Sequence, residues 1–123
     1  MQTLINVVSL MIFTSNLAVG QVMFKRVGLG MRGQPLFDGL LSLFTQPAFY
    51  LVMAIYGFSA FLWVWILSRI PLSQAYPWVA AGAAIVPLLG WYVFDEHVGP
   101  LFWVGVALIL AGLSMTQYAG VQQ

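Results

Sequence analysis

Cysteine is absent from this chain of 123 residues, and only 6% of its residues are charged. The first absence removes disulfides, thiolate nucleophiles and Cys-based metal sites. His97 is the one histidine and has no second ligand at metal-binding spacing, so neither a metal nor any other cofactor is expected. Acids are scarcer than bases, with Asp38, Asp95 and Glu96 as the whole set. A net charge of +1 gives no electrostatic footprint for nucleic acid. Soluble domains carry about a quarter charged residues. A chain with so little charge, 62% hydrophobic and with a mean hydropathy of +0.95, belongs in a bilayer.

Where the charges stand defines the spans. Uncharged apolar runs cover about 4–24, 48–67, 72–94 and 101–118, each near the roughly 20 residues needed to cross a hydrocarbon core of about 30 Å. Lys25, Arg26, Arg32 and Asp38 fall in the first connection, Arg69 in the second, and Asp95, Glu96 and His97 in the third. A charge at the bilayer centre costs about 2.5 to 3.5 kcal/mol, so this exclusion is what spanning helices require. The expected fold is all-α: a polytopic membrane protein of four transmembrane helices forming one domain over residues 1–123. No Lys or Arg precedes Lys25, so the first run is expected to be a span rather than a cleaved leader. Lysine and arginine stand three to one in favour of the side that holds Lys25, Arg26 and Arg32, which favours that side in the cytoplasm with both termini outside. A margin of two charges leaves insertion in both orientations open. Between the first two spans, Phe37, Leu40, Leu41 and Phe44 recur at helical spacing. They predict either an interfacial helix over 36–45 or a tilted extension of the second span.

Polar residues inside the spans are the candidates for function. On the first helix Thr14, Gln21 and Lys25 share one stripe, while Asn6, Ser9, Asn16 and Gly20 share another. Such groups need partners in hydrocarbon, so these faces should look into a bundle or a wet cavity. On the fourth, Gly105, Ala107, Ala111, Gly112 and Ser114 permit close approach of backbones and predict a helix interface. Pro87, after the run Ala80 to Ala84, predicts a bend in the third helix. Between the second and third spans, Arg69 stands at the boundary, Pro71 opens the next helix, and Gln74 and Tyr76 sit one turn inside.

"GQVMFK" (Gly20 to Lys25), "IPLSQAYP" (Ile70 to Pro77) and "FDEHVGPLFWVGVALILAG" (Phe94 to Gly112) resemble the small multidrug resistance family within the drug/metabolite transporter superfamily. Within it they look most like the short subunits of the flippase for aminoarabinose linked to undecaprenyl phosphate. The resemblance implies a dimerisation pattern on the fourth helix, here Gly105, Leu108, Ile109 and Gly112. Proton-coupled exporters of the family carry a glutamate three residues before the glycine matching Gly20, and here that position is Leu17. No other acid lies within a span to replace it, which argues against drug export.

What the resemblance implies is a transporter rather than an enzyme, one that flips a polyprenyl-phosphate-linked sugar across the bacterial inner membrane. Arginine and lysine at the lipid boundary suit the phosphate, and neutral amides and hydroxyls suit the sugar. The expected substrate-binding residues are Asn16, Gln21, Lys25, Arg69, Gln74 and Tyr76, with Lys25 and Glu96 as a gating ion pair. The expected partners are membrane lipid, the lipid-linked sugar, and either a second copy of the chain or a similar small subunit. Two other readings stay open: a secondary exporter of small organic cations or polar solutes, and a non-transporting subunit that scaffolds a glycosyltransferase.

Overall fold

In the computed structural model, which describes residues 1–121, every regular element is an α-helix. Helix α1 (Gln2–Gly30) has 29 residues, so at about 1.5 Å per residue it outreaches the hydrocarbon core and must tilt or protrude. Lys25 and Arg26 lie in that final stretch. Helix α2 (Leu36–Leu43) is a separate unit of 8 residues that starts after Pro35 and carries Asp38 in its first turn, where an acid complements the helix dipole. Helix α3 (Pro47–Leu67) opens with Pro47 in its first turn, a position where the missing N–H costs nothing. α2 and α3 are therefore distinct, and α2 does not extend α3.

The third span is interrupted. It consists of α4 (Leu72–Ala75), α5 (Pro77–Ala80) and α6 (Gly82–Phe94), which together run for 23 residues. The sequence places the irregularity at Pro87, whereas the breaks fall at Tyr76 and Ala81 and Pro87 stays within α6. Pro77 lacks the N–H that would continue the ladder at the first break. At the second, the Ala81 N–H donates to the Trp78 carbonyl three residues back, at 3.2 Å. The Trp78 carbonyl also accepts from Thr14 Oγ1 at 3.4 Å, so the polar stripe of α1 reaches the break.

Helix α7 (Pro100–Val121) packs on α4, α5 and α6. Four helical stretches, α1, α3, the α4–α6 run and α7, are long and apolar enough to cross a membrane. This is a multi-pass membrane protein. α1 is its most buried span and packs mainly on α3 and α6. The tightest apolar cluster joins Leu10 and Phe13 of α1 to Ile66, Ile70 and Ala75, with Leu17, Trp63 and Trp78 packed around it. Phe13 and Trp63 stack at 4.6 Å. Toward the other end the contact is closer, because Gly20 offers no side chain and the Tyr56 ring lies against its backbone. Large apolar side chains such as Phe61, Tyr92, Leu101 and Leu108 remain exposed, as lipid-facing residues would be.

Candidate functional site

Gln21 follows Gly20, and its Nε2 donates to the Tyr56 hydroxyl at 2.8 Å. One turn further along the same face, Lys25 Nζ stands 3.0 Å from Glu96 Oε1. What brings Glu96 there is the end of α6. Asp95 adopts a left-handed conformation at φ 54 and ψ 36, which Asp tolerates better than most residues. The chain doubles back, and the Glu96 N–H donates to the Gly90 carbonyl at 3.3 Å. The Glu96 carboxylate then lies over Gly90, where a Cβ would stand 2.7 Å from Oε2.

Gln21, Lys25 and Glu96 line a cleft of about 360 Å³ between α1, α6 and the start of α7, together with Pro87, Phe94 and Phe102 among others. Its walls are mostly apolar and its polar groups gather at one rim. Lys25 and Glu96 keep 48% and 46% of their side-chain surface exposed, so the pair is open to solvent. Arg32 joins Gln21 and Lys25 around an adjoining, more open hollow. Arg26 faces a different one, beside Leu89 and Val93.

The substrate-binding set expected from sequence does not form one site. Arg69 and Gln74 belong to the opposite end of the bundle, where they line a smaller hollow with Asn6, Trp78 and Gln117. Fifteen residues of α1 separate Asn6 from Gln21, about 22 Å along the axis. Tyr76 is 61% exposed and lines neither hollow. A residue two places from Gln74 is turned about 200° from it on a helix, and Tyr76 accordingly leaves the face shared by Gln74 and Trp78. Asn16 is half-buried, donates no side-chain hydrogen bond among the described residues, and lines neither hollow. Leu17 packs against the apolar cluster.

Gln117 and Tyr56 are absent from the sequence-based set. Gln117 Oε1 accepts from Trp78 Nε1 at 3.1 Å, and its Nε2 donates to the Gln74 carbonyl at 3.2 Å. A glutamine inside an apolar run is the same signal that singles out Gln21, and it would have found Gln117. Tyr56 is one of many aromatics on α3, and only the glycine opposite it distinguishes it. Gly105, Leu108, Ile109 and Gly112 lie on α7, where Cβ atoms added at either glycine would meet nothing within 4 Å.

Spanning helices and a polar-rimmed cleft define a multi-pass membrane protein with a ligand-sized opening at one end. Comparison with known proteins makes the class specific: residues 40–109 match the family described as Small Multidrug Resistance protein, and the chain belongs to that family. It is 34% identical over 95 residues to a probable 4-amino-4-deoxy-L-arabinose-phosphoundecaprenol flippase subunit ArnE of Pseudomonas savastanoi pv. phaseolicola, covering 77% of this chain and 82% of that one. A protein of the same name in Pseudomonas syringae pv. syringae is 33% identical over 77% of this chain and 84% of its own. One in Proteus mirabilis is 36% identical over 55% of this chain and 62% of its own. No solved structure matches the chain significantly.

Proposed function

We propose that this chain is one subunit of a flippase that moves a polyprenyl-phosphate-linked sugar across the bacterial inner membrane, paired with a second copy or with a similar small subunit. The relatives named as flippase subunits support this reading. The observation that carries it is the Lys25–Glu96 pair at 3.0 Å, set at the rim of an apolar cleft. Such a lipid presents an anionic phosphate at headgroup depth, a sugar that needs hydrogen bonds, and a tail that can stay in the bilayer.

Lys25 is held by a carboxylate that a phosphate can replace, since both are acceptor-only anions of similar reach. When phosphate takes Lys25, Glu96 is released to water and the rim opens. Gln21 stands one turn deeper to receive a sugar hydroxyl, at the expense of its bond to Tyr56. The lysine and arginine count favours this rim on the cytoplasmic side. Cation export is the weaker reading, because the position where exporters carry a glutamate is Leu17, packed among Phe13 and Trp63. The exposed glycine pattern of α7 supports pairing with another subunit.

The test is flipping of a fluorescent lipid-linked sugar in proteoliposomes. A charge-assisted hydrogen bond contributes about 1.5 to 3 kcal/mol. Lys25→Ala is therefore expected to weaken headgroup capture by one to two orders of magnitude, at unchanged protein level and dimer content. Flipping at the unaltered rate in that variant removes the proposed role of the cleft. Absence of flipping by the unaltered protein, alone and with its small-subunit partner, removes the flippase reading itself.

A further inference from the structure

We infer that the hollow at the terminal end of the bundle is a second binding site for a phosphorylated sugar headgroup, on the opposite side of the membrane from Lys25. The inference rests on the flippase reading, but it concerns different residues. It starts from an imbalance of charge. Asp38, Asp95 and Glu96 all lie in connections at the Lys25 end, so no acidic side chain stands at the end that holds Arg69. Among the described residues Arg69 has no salt-bridge partner. Its guanidinium lies 4.3 Å from the centroid of the Trp65 ring, a cation–π contact that leaves its N–H groups available for an acceptor.

Hydrogen-bond accounting around the hollow points the same way. Gln117 is engaged at both ends of its amide: it accepts from Trp78 Nε1 and donates to the Gln74 carbonyl, at 3.1 and 3.2 Å. It thereby locks the wall formed by α4, α5 and α7. Gln74 Nε2 donates to the Gly120 carbonyl at 3.3 Å, which leaves Oε1 to accept. Asn6 Oδ1 accepts from Gln2 Nε2 at 3.4 Å, which leaves the Asn6 amide N–H groups unengaged among the described residues. Arg69 and Asn6 therefore bring spare donors, and Gln74 a spare acceptor, to one opening of about 260 Å³. Surplus donors beside a cation suit an oxygen-rich anion, and the unengaged Gln74 Oε1 suits a hydroxyl next to it. The volume is below the roughly 300 to 1,000 Å³ of drug-sized pockets, which suits a headgroup whose tail remains outside.

The test uses the full-length protein in nanodiscs of zwitterionic lipid, titrated calorimetrically with a soluble pentose 1-phosphate. Two saturable sites per chain are expected. Lys25→Ala should leave one, Arg69→Gln the other, and the double variant none. Asn6→Ala should weaken the Arg69-dependent site about threefold to tenfold, and Arg69→Lys should retain it weakened, which separates loss of ligand contact from loss of fold. Thermal unfolding of each variant should match that of the unaltered protein. A single site that vanishes with Lys25→Ala and ignores Arg69→Gln overturns the inference and leaves the flippase reading standing. Inorganic phosphate binding as tightly as the sugar phosphate would reduce the hollow to an anion site and overturn it too. So would loss of the Arg69-dependent site on adding phosphatidylglycerol, which would assign the hollow to ordinary lipid headgroups. No binding at either end, together with no flipping, removes the inference and the flippase reading together.

Discussion

Gly90→Ala tests the rim without altering a single charge. A Cβ at position 90 would stand 2.7 Å from Glu96 Oε2 and 3.5 Å from its Cδ. The first distance is too short, and the group that must move is the free end of a flexible side chain, so the carboxylate swings away and leaves Lys25. Both partners are about half exposed, and ion pairs in such surroundings contribute roughly 0.2 to 1 kcal/mol. At about 1.4 kcal/mol per tenfold, loss of the pair shifts the closed-to-open balance by about 1.4-fold to fivefold. Alanine also favours an α-helix interior over glycine by about 1 kcal/mol, so α6 should fold at least as well as before. Lys25 keeps its charge and its access to phosphate. The initial flipping rate is therefore expected to rise by up to about fivefold, with headgroup affinity slightly tightened, and Glu96→Gln should do the same. Raising the ionic strength, which screens exposed pairs, should shrink the difference between variant and unaltered protein. The reasoning is refuted if Gly90→Ala and Glu96→Gln both leave rate and affinity unchanged, or if both lower flipping as far as Lys25→Ala does.

Two further glycines give opposite expectations. At Gly20 a Cβ would overlap the Tyr56 ring, with Cδ2 and Cζ also within 3.2 Å, so Gly20→Ala must part α1 from α3 and break the Gln21–Tyr56 bond. Overpacking of this kind costs about 1 to 3 kcal/mol, read as a lowered Tm in detergent, whereas Gly28→Ala, with open space at its Cβ, should leave Tm unchanged or slightly raised. At Gly112 nothing within the chain opposes a side chain; Gly112→Leu should leave helical content intact while crosslinking and sedimentation report loss of the dimer, and an undiminished dimer removes α7 as the contact.

The all-helical, membrane-spanning character of the chain is legible in its sequence because the exclusion of charge from hydrocarbon is a strong constraint, and eight titratable side chains of Lys, Arg, Asp, Glu and His type suffice to mark the connections. The site is legible only in part. Gln21, Lys25 and Glu96 meet, since helical spacing places the first two and the short third connection returns the last to their side. The pairing also needs Asp95 in a left-handed conformation and Gly90 beneath the carboxylate, and neither is written in any local pattern. The other expected residues stand where alternation of the spans requires, with Arg69 and Gln74 at the end opposite Lys25. Tyr76, at the break after α4, keeps helical dihedral angles, and two residues of such backbone turn it about 200° away from the Gln74 face. The breaks at Tyr76 and Ala81 follow from Pro77 and from the Thr14 contact to the Trp78 carbonyl, and that contact joins residues 64 positions apart.

The two ends of α1 differ in a way that bears on direction. At the Lys25 end a carboxylate already occupies the cation, and an incoming headgroup must displace it; at the Arg69 end no acidic side chain competes. On the proposed reading, a phosphate is captured by exchange on one side and by simple pairing on the other. Between them, α1 presents Thr14 and Asn16 and no charge, so no fixed ion marks the way through the hydrocarbon. A headgroup crossing there carries its own charge through a low-dielectric region, where the cost is severe unless polar groups surround it. α1 is the most buried span, while the α4–α6 run and α7 are the least, and the cleft opens between them. One chain therefore supplies half of a polar path, and a second subunit against the exposed faces of α6 and α7 is the simplest source of the other half.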